Sequence, residues 1–221
     1  MSYEVRADLS DSPKNKSVPF FYIWHDIRSV DADKQGNRVW EGSRRESDCD
    51  CGGVIEMNKP NQRFLVYVKS NKDFIFVETY SGFWNFLPDP EGKRYLLSHS
   101  SSDSDVGSAI VDAVSVSRQV DPQVDPEFFN VMGRVSPQYA AWVGGLMDEF
   151  GYKNKRAMFK DMKSCSVEMV AGSIVIEPSH HEKLEAWSGK GISEDDKVVI
   201  PTNSPPDQIG LALRLALSRC T

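Results

Sequence analysis

Between Phe20 and Tyr80 the apolar residues come in short runs rich in aromatic and β-branched side chains. These are FFYIWHDI (20–27), NRVW (37–40), GGVIEM (52–57), RFLVYV (63–68) and DFIFVETY (73–80), with clusters of Gly, Asn, Asp, Ser and Pro between them. Short runs punctuated in this way predict strands joined by turns. Residues 1–19 are polar and read as an arm ahead of the first strand. From Asp103 onward the apolar spacing turns helical. Val106, Ile110, Ala113 and Val114 form one stripe and predict a helix over 103–118. A second helix is predicted over 136–150, with Ser136 as N-cap, Pro137 at its first position and Gly151 as its stop. The Gly144-Gly145 pair weakens it by about 1 kcal/mol per glycine. KNKRAMFKDMK (153–163) predicts a short basic helix with Lys153, Arg156, Lys160 and Lys163 near one stripe and Met158 and Met162 on another. CSVEMV and SIVIEP predict a hairpin turning at Ala171-Gly172, and DKVVIP a further strand. SPPDQIGLALRLALSR (204–219) closes the chain as a helix capped by Ser204, with Pro205 next and Asp207 in its first turn.

This order predicts a single α+β domain over 20–221: strand-rich at 20–100, helix-rich at 101–221, with an antiparallel sheet and helices packed on one side. Segments 96–115 and 199–218 align without gaps, each running strand, Ser-rich turn, Asp, then an apolar-Gly-x-Ala helix. Gly107 matches Gly210, Ala109 matches Ala212, Ala113 matches Ala216 and Ser115 matches Ser218. The reading is a degenerate strand–turn–helix duplication whose glycines let each helix lie close on its sheet, with convergence of two capped helices as the alternative.

Composition narrows the class. Hydrophobic residues make up 40% and charged residues 26% of 221, which is the globular range. No apolar run approaches a membrane span, and MSYEVRADLSDSPKNKS has no apolar signal core, so the expected compartment is the cytoplasm. The four cysteines, Cys49, Cys51, Cys165 and Cys220, are too sparse for a disulfide framework and are expected reduced. The net charge of −6 argues against general nucleic-acid affinity and suits a basic partner.

Candidate chemistry centres on PSHHEKLEAWSG (178–189). Read as a helical turn, it sets His181 and Glu185 four apart on one face. A zinc site of the H-E-x-x-H type needs a histidine where Leu184 stands, so a metal-dependent hydrolase built on His180, His181 and Glu185 would have to recruit a distant ligand such as His25 or His99. The Glu182/Glu185 pair has the spacing of an acid–base couple and, equally, of a solvated face. Cys49-Asp-Cys51 lacks the second pair of a zinc site. The Lys153–Lys163 face fits an RNA-binding module or an ordinary solvated helix face. No phosphate-cradling glycine loop, nucleophile elbow or cofactor motif occurs, so no catalytic residue, metal or cofactor is assigned.

The C-terminal part resembles a known family. GYK…K-R-A-x-F, M-K-S-C-S-V-E, I-x-P-x-H-H-E-K-L-E-A-W-S-G, V-x-I-P and I-G-x-A-L-R-L-A-L-S-R together resemble the immunity proteins of bacterial contact-dependent growth inhibition systems. The resemblance is clear over about 136–220 and weaker over 74–118, carried there by ETYSGFWNFLPDPEGKRYLL and the helix after it. It implies an inhibitor and not an enzyme, one that stays in the cytoplasm. It binds, one to one, the C-terminal toxin domain of a CdiA-type exoprotein and blocks the toxin's active site. Such toxins are often RNA-cleaving nucleases, and many are basic. Two surfaces are then alternatives for the toxin contact, the first holding only if the shared motif is more than a scaffold for the fold. One is the acidic neighbourhood of Glu182, Glu185, Glu194, Asp195 and Asp196, with Trp187 as anchor. The other lies in the N-terminal part: Trp24, Trp40, Trp84, Asp48 and Asp50.

Overall fold

A computed structural model describes residues 63–221. The strands expected at 20–27, 37–40 and 52–57, the arm at 1–19, and Trp24, Trp40, Asp48, Asp50, Cys49 and Cys51 lie outside the described residues.

Asn71 makes the first hairpin. Its side-chain oxygen accepts from the backbone N–H of Asp73 and Phe74 at 2.9 and 3.2 Å, closing the turn between β1 (Phe64–Ser70) and β2 (Phe74–Gly82). β3 (Phe86–Pro88) and β4 (Arg94–Ser98) both pair with β2, one at each end. β5 (Lys163–Val170) pairs with β1, β6 (Ser173–Pro178) with β5, and β9 (Val198–Pro201) with β6, all antiparallel. The order is β3-β2-β1-β5-β6-β9, with β4 beside β2. Ala171 and Gly172 make the β5–β6 turn with φ of 48° and 80°.

Strand alternation sorts the core into two faces. Val66, Val68, Ile75, Val77, Cys165, Val167, Ile174 and Ile176 face α1 (Asp103–Ser115) and α4 (Pro206–Arg219). Phe74 and Phe76, one residue out of phase, face α2 (Ser136–Phe150) and α3 (Lys155–Phe159). The α+β class and antiparallel sheet hold. The long pair α1/α4 covers one face, and the smaller layer of α2 and α3 covers part of the other. A fully buried Ile or Phe contributes about 1.5–3 kcal/mol of transfer energy, so both layers matter to stability.

Ser102 caps α1, accepting from the Asp105 N–H at 3.1 Å. Gly107 and Gly210 do their packing helix against helix rather than helix against sheet. A Cβ on Gly107 would stand 1.7 Å from the Pro206 carbonyl oxygen, and one on Gly210 2.0 Å from that of Asp103. Each glycine therefore receives the first turn of the other helix. α4 is entered from Pro205, not Ser204. α2 does not start at a Ser136 cap. It continues back through a single wide turn over Val131–Val135, where the Asn130 side-chain oxygen accepts from the Gly133 N–H at 2.7 Å. Gly151, at φ 67°, ends it as expected.

Residues 116–135 carry the chain from the α1 face to the α2 face. Val120 N–H donates to Gly82 O and Gly82 N–H to Arg118 O, both at 3.1 Å. Arg118 grips Asp89 through two bonds of 2.9 and 3.1 Å, and Phe128 lies beneath both Arg118 and Arg134. Burial opposes the charge on Asp89, but bonds from Arg118, Ser81 and the Glu91 N–H outweigh it and hold its pKa below the ordinary value. A depressed carboxylate pKa stabilises the fold above the unfolded value of about 3.9, and that contribution is lost as pH falls through the folded value. Asp89→Asn is therefore expected to cost about 1–3 kcal/mol at pH 7, the Arg118 end being partly exposed. Urea unfolding between pH 7 and pH 3 should show a smaller acid-induced loss in the variant than in the wild type.

Candidate functional site

Residues 180–188 form an antiparallel hairpin, β7 (His180–Lys183) and β8 (Ala186–Ser188), with a bulge between His181 and Lys183. The helical turn expected here is not formed, and with it goes the premise that His181 and Glu185 share a helix face. The reason lies outside the segment. The C-terminal residue runs alongside β7: His181 N–H donates to Thr221 O at 2.7 Å, and Thr221 N–H donates to Ser179 O at 3.2 Å. His180 Nδ1 lies 2.9 Å from the Thr221 hydroxyl. An extended backbone on β7 satisfies these groups, and a helical one would not.

His181 and Trp187 are direct cross-strand partners, and their rings stack at 4.8 Å and 13°. Trp187 is buried within its own fold at 6% exposure, and its Nε1–H donates to Met162 O at 3.0 Å. The indole expected as a toxin anchor thus serves the fold. Glu185 accepts from the Tyr139 hydroxyl at 2.7 Å and from Lys155 Nζ at 3.0 Å. Ser179 Oγ donates to Ser164 O at 2.6 Å. The hairpin is a clasp that ties β5, α2, α3 and the chain end together. Among the described residues no group of three His, Cys, Asp or Glu side chains lies close enough to hold a metal ion.

The acidic neighbourhood divides by partner. Glu194 pairs with Lys197 at 2.8 Å, and Asp196 accepts from the backbone and hydroxyl of Ser193 at 2.8 and 2.7 Å as part of a capping box, which holds its pKa below the ordinary value. Glu182 and Asp195 are exposed, and among the described residues their carboxylates have no hydrogen-bond or ion-pair partner. The acids brought together are thus at the clasp end of the sheet and beside β9. Trp84 is elsewhere, in the β2–β3 turn at the opposite edge and end of the sheet, 78% exposed and packed edge-on against Phe83 at 5.0 Å.

The basic face expected over Lys153–Lys163 does not form either. α3 is only five residues long, Asp161 turns to φ 57°, and Lys163 lies on β5 with its ammonium donating to Leu217 O at 2.8 Å. The helix ends where Lys160 turns extended (ψ 127°) on the way into β5, with Met158, Phe159 and Met162 all buried. Sequence reasoning passed over Lys69. It points onto the α2 face of β1, in phase with Leu65 and Tyr67, and its ammonium lies over the rings of Tyr67, Trp142 and Trp187 at 5.6–5.9 Å. Burial lowers its pKa, with Glu78 acting in the other direction. A lysine inside the alternating run RFLVYVKS was the available signal.

The family model described as CDI immunity protein (CdiI) matches residues 65–220. The immunity protein CdiI-YPIII of Yersinia pseudotuberculosis serotype O:3 is 45% identical over 164 residues, covering 69% of this chain and 93% of that protein. The fold matches a chain in the CdiA-CT/CdiI toxin and immunity complex of Yersinia pseudotuberculosis with a TM-score of 0.66 and 39% identity, covering 72% of this chain and 98% of that one. A Neisseria meningitidis protein of unknown function matches with the same TM-score, 32% identity, and coverage of 74% and 98%. The match extends the sequence resemblance to β1 and to the 119–135 connection, so the hairpin clasp, the glycine-packed helix pair and the six-strand path between them all fall within it. This chain belongs to the CDI immunity protein family.

Proposed function

We propose that this protein binds the C-terminal toxin domain of a cognate CdiA-type exoprotein, one copy to one, and neutralises it in the cytoplasm by covering its active site. The protein acts as an inhibitor and not as an enzyme, and its target is a basic nuclease that cleaves RNA. The observation that carries this reading is the fold match to a chain of a toxin and immunity complex, over nearly the whole of that chain, together with 45% identity to an immunity protein. Charge supports the nature of the partner. A net charge of −6 and the exposed carboxylates of Glu182 and Asp195 favour a basic domain, speed its encounter and disfavour acidic ones. No helix among the described residues is long and apolar enough to cross a membrane.

Trp84 is the anchor in this reading, because among the described residues its indole is left largely exposed, with Phe83 against one side. Asp48 and Asp50 are further candidates for the toxin contact in the proposal. The test is calorimetric titration of the full chain into the toxin domain encoded with it. The expected result is a one-to-one complex of nanomolar affinity. Trp84→Ala should weaken it by about 10–100-fold while leaving the unfolding midpoint in place. Glu182→Ala/Asp195→Ala should slow association chiefly at low salt. Full affinity in the Trp84 variant would remove Trp84 from the interface, and absence of any complex would overturn the function.

A further inference from the structure

The thiols of Cys165 and Cys220 are neighbours in space though 55 positions apart in sequence, with sulfurs 3.6 Å apart. Cys165 is on β5 and fully buried, and Cys220 directly follows α4 and is half-buried. A cavity of about 270 Å³ opens beside them, lined by Lys163, His181, Trp187, Cys220 and Thr221 among others. Cys220 reaches this cavity and Cys165 does not. The arrangement has the parts of a dithiol couple: one accessible sulfur to be attacked through, one sheltered sulfur to resolve, and a cation close by.

We propose that Cys165 and Cys220 form a reversible redox pair that takes a low-molecular-weight disulfide as its substrate and closes to a Cys165–Cys220 disulfide. The Cys220 sulfur attacks one sulfur of the small disulfide, forming a mixed disulfide and releasing one small thiolate, which takes up the proton Cys220 gave up. Cys165 then attacks the Cys220 sulfur and expels the second small thiolate, which takes up the proton from Cys165. Two protein thiols and one small disulfide become one protein disulfide and two small thiols, and two electrons pass to the small molecule. The Cys165 thiol supports the sulfur of Cys220 by hydrogen bonding, burial opposes it, and Lys163 helps, so that the Cys220 pKa falls to about 7. Cys165 shifts the other way, raised by the same bond and by burial. The division matches an attacking and a resolving thiol. Position gives the bond a consequence. Cys220 lies between the end of α4 and Thr221, which pairs with Ser179 and His181, so the disulfide would staple the clasp to β5. Reversible disulfides of this kind are the form that a reducing compartment permits.

The test uses the full chain carrying Cys49→Ser and Cys51→Ser, so that only this pair can react. Incubation with oxidised glutathione should remove both thiols and the mass of two hydrogens, and proteolysis should yield a peptide linking Cys165 to Cys220. The unfolding midpoint should rise by about 5–10 °C and return on reduction. Adding Cys165→Ser should leave a stable glutathione adduct on Cys220 and no rise. Adding Cys220→Ser should leave a protein that glutathione does not modify. The proposal is overturned if no linked peptide forms at any glutathione ratio, or if the linked protein is less stable than the reduced one.

Discussion

Gly107→Ala and Gly210→Ala are each expected to destabilise the protein by about 3–5 kcal/mol, the upper range for a single substitution. The obstacle to the new methyl group is backbone. It would lie 1.7 Å from the Pro206 carbonyl oxygen in one case and 2.0 Å from that of Asp103 in the other. A backbone carbonyl cannot rotate aside, so α1 and α4 must separate. Separation opens the layer formed by Val106, Ile110, Ile209 and Leu213, all fully buried, and dispersion contacts are lost along the whole pair. The control lies in α2. Nothing stands within 4 Å of a Cβ on Gly144 or Gly145, so alanine there should be neutral or stabilise by up to about 1 kcal/mol through helix propensity. Urea unfolding of the four variants checks this directly. A Gly107 variant within about 1 kcal/mol of the wild type would contradict the close-packed helix pair.

Trp187→Ala is expected to cost about 3–5 kcal/mol, the range for deleting a buried large aromatic. The ring fills the space between Phe159 and Lys69, stacks on His181 and satisfies Met162 O. Without it the clasp loses its centre, and the Lys69 ammonium loses one of the three rings it lies over. Trp187→Phe keeps part of the ring and loses the indole donor, so it should cost only about 1–2 kcal/mol. Denaturation midpoints give the stabilities, and the His181 ring proton shifts report the stack. A Trp187→Ala protein of wild-type stability that had lost toxin affinity would return Trp187 to the role of anchor and remove it from the core.

The strands and long helices within the described residues were legible because each carries its own signal. RFLVYV and DFIFVETY are short runs of aromatic and β-branched residues bounded by turn residues, and Gly151 and the Ala171-Gly172 pair mark their turns by the positive φ that glycine tolerates. The matched glycines at 107 and 210 were visible too, but the sequence does not say what approaches a glycine, and here it is the other helix. The candidate site was harder to read. SHHEKLEAW has helical spacing, and its hairpin depends on Thr221, forty residues later, and on Ser164 of a neighbouring strand. The basic stripe at 153–163 failed because the helix stops at Phe159: Lys160 is already extended, Asp161 turns at φ 57°, and Lys163 begins β5. Separating Glu182 and Asp195, without a partner among the described residues, from the engaged Glu185, Glu194 and Asp196 requires knowing partners that are tertiary for Glu185.

The central claim is that this chain neutralises a toxin. The most direct measurement follows the activity of the purified cognate C-terminal toxin domain, proposed above to be RNA cleavage, as this protein is titrated in. Activity is expected to fall linearly and vanish at one equivalent, and the Trp84→Ala variant to need a clear excess to reach the same end point. Full toxin activity in the presence of a large excess of folded wild-type protein would contradict it.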